Sequence, residues 1–203
     1  MRNSLHSFQM FVSLGVLSLL TGCADKAAPA VSTEEAPLFQ GTALVRPTDF
    51  REWQYVSTGQ GMSYAGGTQQ PATLFDNVFV RRSAYESFKQ SGLWPEQTIF
   101  VLELRNSTDH GSILATGRYQ TDELLVEASV KDSSRFENSW AYFSFYPGDD
   151  GALPTTAERN PDAACFHCHQ TNAEVDFTFG QFYPTIFPIA QQLGTVVNQP
   201  ASE

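Results

Sequence analysis

Five consecutive residues near the end of the 203-residue chain, Cys165-Phe166-His167-Cys168-His169, constrain it more than any other segment. Two cysteines three positions apart place both sulfur atoms on one side of a helical turn, and the histidine after the second cysteine projects to the same side. A c-type haem needs this geometry, because the two thiols add to the vinyl groups and the imidazole reaches the iron. The motif therefore predicts one haem c on Cys165 and Cys168, with His169 as proximal iron ligand.

Two other uses of a CxxC pair are less well supported by the sequence. A zinc site needs a second ligand pair at metal-binding spacing, and outside the motif and residues 1–22 the nitrogen donor that remains is His110. A thioredoxin-like dithiol belongs on a parallel-sheet fold, which the strand pattern does not favour.

Asp162, shortly before the motif, is predicted to cap the helix that carries it.

The residue opposite His169 on the iron separates electron carriers from ligand-binding proteins. Electron-carrier cytochromes usually fill that sixth position with methionine or a second histidine. Apart from the motif, residues 23–203 offer Met62, in a glycine-rich loop, and His110, in a predicted turn. Neither lies on a predicted helix or strand that would hold it firmly, so an open distal face that binds small molecules is favoured.

The N-terminus predicts export from the cytoplasm. A single positive charge, Arg2, precedes an apolar run over 8–20 that is short for a membrane span but typical of a secretory signal. The run ends in the tetrad LTGC at Cys23, which resembles a bacterial lipoprotein signal, so Cys23 is predicted to carry lipid. The alternative is a plain secretory signal with an incidental cysteine. We expect attachment to the periplasmic side of the outer, or inner, membrane.

Composition sets the domain organisation and limits the partners. We predict a signal peptide over 1–22, a lipidated tether over 23–47, one haem domain over 48–193 and a polar tail over 194–203. With 12 Lys+Arg against 22 Asp+Glu, the formal net charge is -10, which argues against nucleic-acid binding and favours a basic redox partner. The three cysteines are all assigned, so no disulfide is predicted.

The apolar pattern predicts a mainly β, α+β fold, with an antiparallel sheet and a few packed helices. Helical spacing appears over 83–90, ahead of Gly92, and a short helical turn is predicted over 50–56, followed by a loop over 57–71. Runs rich in β-branched and aromatic residues predict strands at 77–80, 98–104, 113–119, 124–130 and 140–146. The aromatic run at 140–146 is expected where both faces of a strand are covered.

Several segments, taken in order, resemble the cytochrome P-460 family, which includes the β-sheet cytochromes called cytochrome c prime-beta. They are FREWQYV, NVFV, AYESFKQSGLWPEQTIFVLEL, VEASVKDSSRF, WAYFSFY and ACFHCHQTNAEVDFTFGQFYP. The resemblance covers about 48–192. It implies a mainly antiparallel fold, a homodimer, a five-coordinate haem, and either hydroxylamine oxidation or, in the c prime-beta members, binding of nitric oxide.

The clearest departure from the family is at Leu102. Members that oxidise hydroxylamine carry a lysine joined covalently to the haem edge, and the matching position in Val101-Leu102-Glu103-Leu104 holds a leucine, which cannot form that bond. Lys131 does not align with the linking position, and we expect it at a solvated strand end.

The resemblance also assigns two residues to the distal side of the haem. The family's distal carboxylate aligns with Glu127, where a charge on a half-buried strand is costly unless it faces a polar site. Phe75 lies near the family's capping ring, and a simple core position is the alternative for it. The predicted function is an open-site haem protein for nitric oxide or a related nitrogen oxide. The alternatives are a hydroxylamine-oxidising enzyme and a six-coordinate electron-transfer cytochrome.

Overall fold

A computed structural model of the protein describes residues 36–63, 71 and 73–197. The predicted signal peptide, Cys23 and part of the tether and tail lie outside these residues. In chain order, the described strands are β1 (Phe39–Gln40), β2 (Ala43–Val45), β3 (Gln54–Gln60), β4 (Phe75–Val80), β5 (Ile99–Thr108), β6 (Tyr119–Lys131), β7 (Trp140–Phe145) and β8 (Thr156–Ala157). The described helices are α1 (Arg82–Ser91), α2 (Phe166–Asn172) and α3 (Phe187–Leu193), with short 3-10 helices at Phe50–Glu52 and Gly180–Phe182.

The centre of the fold is a five-stranded antiparallel sheet in the order β3-β4-β5-β6-β7. Neighbours in the sheet are also neighbours in sequence, so the chain folds back on itself at each connection. One row of cross-strand partners runs from Val78 through Leu102 and Glu127 to Ser144. This register places a leucine and a carboxylate side by side on the same face of the sheet.

The two faces of this sheet are covered by different elements. We call the first the packed face; it lies under the small antiparallel sheet β1-β2-β8, whose Leu44 and Ala157 join its apolar core. We call the second the cavity face; α1, α2 and α3 pack against it through residues such as Phe88, Phe166 and Ala190. One layer thus covers each face of the central sheet, so both faces are buried, as the mainly β prediction requires.

Strand β7 shows how one strand can supply apolar side chains to both faces of the sheet. Five of its six residues are buried, the exception being Ser144, so the near-continuous aromatic run is confirmed as a strand covered on both sides. Phe143 and Phe145 belong to the packed face, while Trp140 and Tyr142 belong to the cavity face.

The mainly β, antiparallel fold class is confirmed, and so is the helix over 83–90, which ends at Gly92 in the left-handed conformation. The strand predicted over 113–119 is wrong except for Tyr119. Residues 109–118 connect β5 to β6, and Ile113 lies fully exposed with a φ of 62°. The two long strands pair as far as Thr108 and Tyr119, which leaves no neighbour for a strand between them.

The predictions around β3 also need correction. The helical turn expected over 50–56 stops at Glu52, and residues 54–60 form a strand because they pair with β4. The predicted loop over 57–71 therefore starts later than expected. A register shift between Tyr55 and Ser57 marks a bulge at this edge of the sheet. Within the described part of the chain, no helix is long and apolar enough to cross a bilayer.

Candidate functional site

A cavity of about 250 Å³ lies between the cavity face and the segment that carries the CxxCH motif. It contains both thiols of the motif, the histidine, and the leucine and carboxylate singled out from the sequence. Its lining residues are Val78, Phe100, Val101, Leu102, Glu127, Ser129, Tyr142, Ala164, Cys165, Cys168, His169, Thr178, Phe179 and Tyr183. The fold thus brings together residues from four strands, β4 to β7, from α2 and from the segments on either side of α2.

The motif is carried by a short helix that is fixed by one aromatic residue. Phe166 is buried and stacks on Phe177, with ring centroids 5.5 Å apart. Helix α2 begins at Phe166, so the prediction that Asp162 caps it is wrong. The Asp162 carboxylate instead accepts hydrogen bonds from Arg159 and Asn138, both at 3.0 Å.

His169 is held on several sides. Its ring lies 4.3 Å from the ring of Tyr142 and 4.4 Å from that of Phe179, measured between centroids. Its Nδ1 lies 2.9 Å from the carbonyl oxygen of Phe177. Because a carbonyl can only accept, Nδ1 carries the proton and Nε2 keeps its lone pair. Burial lowers the pKa of His169 to about 4, partly opposed by the Phe177 carbonyl, so the ring is neutral at physiological pH. A neutral, oriented imidazole is the form that binds a metal.

The two cysteines are free thiols and half-buried at the cavity wall. Each sulfur faces a side-chain amide: Asn160 lies 3.4 Å from Cys165 Sγ, and Asn172 lies 3.7 Å from Cys168 Sγ. Burial raises the pKa of Cys165, against the hydrogen bond from Asn160, which lowers it. Both thiols line the cavity and are placed to add to a group that enters it.

The wall contributed by the sheet is apolar with a polar corner. Leu102 lies between Val78 and Glu127 in the cross-strand row, and all three line the cavity. The Glu127 Oε1 accepts a hydrogen bond from Ser144 at 3.0 Å, and Asn160 donates to Ser144 at 2.9 Å. Burial raises the pKa of Glu127, although the bond from Ser144 opposes this. Glu127 can therefore accept or donate a proton closer to neutrality than an exposed glutamate.

A second carboxylate, Asp76, was missed in the sequence. It lies on β4 two residues before Val78, so strand alternation puts it on the cavity face. Burial, and then the charge of Glu127, raises the pKa of Asp76 to about 6. The signal that could have found it is this two-residue spacing from Val78 within an otherwise largely apolar strand.

Phe75 is not brought to the cavity. Alternation along β4 places it with Phe79, on the packed face, and it is absent from the residues that line the cavity. His110 is also distant, because its side chain is 90% exposed in the connection between β5 and β6. Met62 is closer than its loop suggested. It lines a small neighbouring cavity of about 30 Å³ that shares Leu102 with the main one.

Lys131 does not lie at a solvated strand end as expected. Its side chain is 16% exposed, and its Nζ lies 2.8 Å from Asp176 Oδ2. No three His, Cys, Asp or Glu side chains among the described residues come together as ligands for a metal ion, as a zinc site would require.

Two thiols and a neutral imidazole on one largely apolar cavity fit a covalently held haem in the chemistry of their donor atoms. A family model described as Cytochrome P460 matches residues 47–180, about two thirds of the chain. The chain belongs to the cytochrome P460 family. A search of curated proteins gives no match. Membership of the cytochrome P460 family makes this a haem protein, and the cavity is where its donor residues converge.

Proposed function

We propose that this member of the cytochrome P460 family is an exported c-type mono-haem protein of the c prime-beta kind. Its open distal side would bind nitric oxide or a related small nitrogen oxide. One observation carries the proposal: the cavity that contains Cys165, Cys168 and His169 also has an apolar sheet wall with Glu127 at its edge. Such a wall admits a small, weakly polar ligand and offers it a hydrogen-bonding partner at one place.

Attachment would use the two cysteines of the motif. Each thiol would form a sulfur–carbon bond to a vinyl group, with the thiol hydrogen going to the neighbouring carbon, so no oxidant would be needed. Asn160 and Asn172 lie within 3.4 Å and 3.7 Å of the two sulfurs and would hold them in place. His169 would serve as proximal ligand through Nε2, because its Nδ1 proton is engaged by the Phe177 carbonyl.

The haem iron would supply the redox-active centre that holds a nitrogen oxide. The chain's own contribution on the distal side is to exclude water and to place one carboxyl group that can accept or donate a proton. Leu102, Val78 and Phe100 provide the apolar surface, and Glu127, oriented by Ser144, provides a carboxyl that can donate a hydrogen bond when protonated. Asp76 strengthens the negative field at this corner, which would favour neutral ligands over anions.

Leu102 favours ligand binding over hydroxylamine oxidation. Its side chain lines the cavity, where the oxidising members of the family would have their cross-linking lysine. A leucine provides contact area and no nucleophilic nitrogen. The lysines of the described residues, Lys89 and Lys131, lie on the outer helix α1 and in the ion pair with Asp176.

Met62 favours a second candidate, a six-coordinate electron carrier. Its side chain lies so close to Gly59 that a Cβ there would meet Met62 Sδ at 2.3 Å, so the glycine makes room for it. Met62 shares Val78, Leu102 and Tyr183 between its small cavity and the main one. A modest shift of this thioether could close the distal side.

Absorption spectra of the reduced protein with and without nitric oxide separate these candidates. We expect a five-coordinate, high-spin spectrum that changes on addition of nitric oxide. Met62→Leu serves as the matched control and should leave both spectra unchanged. A low-spin spectrum that becomes high-spin in Met62→Leu would replace our proposal with the electron carrier. A far-red-shifted Soret band would reveal a cross-link and favour hydroxylamine oxidation.

We further propose that Cys23 carries a lipid that holds the domain at the periplasmic side of the outer, or inner, membrane, where it works as a homodimer with a basic redox partner. The tetrad that ends at Cys23 and the net charge of -10 support this proposal. Replacing Cys23 with serine should move the protein from the membrane fraction to the soluble periplasmic fraction. An unchanged membrane fraction would contradict the lipid.

A further inference from the structure

The carbonyl that orients His169 belongs to an unusual turn. Asp176 and Phe177 have φ angles of 41° and 60°, so two consecutive residues other than glycine occupy the left-handed region. L-residues rarely adopt this conformation, because Cβ then approaches the carbonyl oxygen. The Phe177 carbonyl accepts from His169 Nδ1 at 2.9 Å and from the Tyr142 hydroxyl at 3.3 Å. The turn must therefore be held by contacts from outside it.

Lys131 supplies one of these contacts from the end of β6. Its Nζ donates to Asp176 Oδ2 at 2.8 Å and to the Trp94 carbonyl at 2.8 Å. The backbone N–H of Trp94 donates to the same Asp176 oxygen at 2.9 Å. The exposed fractions of the two charged side chains are 16% and 10%, so water weakens their attraction less than it would on the surface. Two of these hydrogen bonds join the turn to the sheet and to the loop after α1, and the third joins the sheet to that loop.

The residue after Phe177 is fixed in the same way. Thr178 Oγ1 donates to the Val175 carbonyl at 2.6 Å and accepts from Trp94 Nε1 at 3.2 Å. Both ends of the turn are therefore tied to Trp94, which is itself buried and stacked on Phe88. The Phe177 carbonyl lies between these two tied residues, Asp176 and Thr178, and their contacts set its position.

We infer that Lys131 and Asp176 form a positioning pair that fixes the Phe177 carbonyl and, through it, sets the orientation and donor strength of His169. An imidazole whose Nδ1–H donates to a well-placed acceptor is more electron-rich at Nε2 and binds a metal more strongly. Lys131 is not among the residues that line the cavity, so its effect reaches the site through the turn. The inference rests on the proposed role of His169 as proximal ligand.

Resonance Raman spectroscopy of the reduced haem protein tests it through the iron–histidine stretching band. Lys131→Met should move this band to lower frequency and broaden it, because the turn relaxes and the hydrogen bond to His169 weakens. Lys89→Met is the matched control: it removes a lysine from the exposed pair with Glu86 and should leave the band unchanged. A purely structural role for Lys131 would lower the melting temperature and leave the band where it is.

A double variant keeps the test open if Lys131→Met fails to fold. Lys131→Met with Asp176→Asn leaves neither charge unpaired, and it should show the same downward shift. An unchanged band in either folded variant would overturn the inference. Failure of the proposed function has a different signature, because wild-type protein without an iron–histidine band would remove His169 from the iron before any variant is compared.

Discussion

The two faces of the five-stranded sheet use similar residues for different purposes, as a comparison of two glutamates shows. Glu103, on the packed face, is 3% exposed and meets the guanidinium groups of Arg51 and Arg105. Glu127, on the cavity face one strand away, accepts a hydrogen bond from the neutral hydroxyl of Ser144. The charge of Glu103 is balanced by the two arginines, and this residue stabilises the fold. Glu127 keeps a raised pKa and faces the space where a ligand would bind.

The same separation runs along single strands. In β6, Val126, Ala128 and Val130 enter the packed core, while Glu127 and Ser129 line the cavity. Because successive side chains point to opposite faces, one strand can provide stability with every second residue and chemistry with the others. Substitutions at neighbouring positions should therefore have effects of different kinds.

The largest expected effect is on the packed face. Phe143 is fully buried and contacts the rings of Phe39 and Phe136 at centroid distances of 6.0 and 6.2 Å. Phe143→Ala should lower the free energy of unfolding by about 3–5 kcal/mol in denaturant titrations. Tyr142→Phe, the neighbouring residue on the cavity face, should cost about 1 kcal/mol or less. Equal losses for the two variants would contradict the division between the faces.

The two glutamates give a matched comparison with one substitution. Glu103→Gln should lower the free energy of unfolding by about 2–3 kcal/mol, because Arg51 and Arg105 lose the charge that they share. Glu127→Gln should leave it unchanged or raise it, since burial disfavours the charged form of Glu127. Denaturant titration at neutral pH measures both, and a larger loss for Glu127→Gln would reverse our assignment.

Ligand kinetics sharpen the comparison on the cavity face. Glu127→Ala should keep haem attachment and change the dissociation rate of nitric oxide by roughly 2–10-fold, the value of one hydrogen bond. Stopped-flow absorbance measures the rates, and Glu123→Ala is a control because Glu123 pairs with Arg51 outside the cavity. Unchanged association and dissociation rates would make Glu127 a structural residue.

The smallest effect concerns Asp76 and depends on pH. Its pKa is raised by burial and by Glu127 from 3.8 to about 6, so the folded protein binds its proton more tightly than the unfolded chain. The stability that this proton contributes is present below about pH 4 and is lost as pH rises through 6. Asp76→Asn should therefore add roughly 1 kcal/mol at pH 8, after allowance for partial exposure, and nothing near pH 4. A gain that is the same at both pH values would refute the raised pKa.

Local patterns accounted for much of the fold. The aromatic and β-branched runs predicted four of the five central strands, and the Gly92 stop ended α1 where expected. The predictions were wrong where pairing between strands decides whether a segment is a strand. Residues 113–119 look like a strand but lie beyond the end of the β5–β6 ladder, and residues 54–60 look like a helical turn and a loop but pair with β4.

The candidate site was also predicted in part, from its local motif, and missed where strand orientation mattered. The spacing of Cys165, Cys168 and His169 specifies its chemistry within five residues, and the family resemblance added Leu102 and Glu127. Phe75, a candidate for the distal wall, lies on the packed face instead, because the pattern of a short segment does not show which of its alternate residues points to the cavity. Asp76 was missed for the same reason.

By itself, the sequence determined the CxxCH motif, the acidic charge and the antiparallel β class, since each depends on residues close together in the chain or on composition. Tertiary structure decided which face of the sheet holds the cavity. It also placed Asp76 beside Glu127 and tied Lys131 to the turn that orients His169. These relations join residues 45 or more positions apart, or depend on strand register, and they are fixed by the packing of helices and strands over the whole domain.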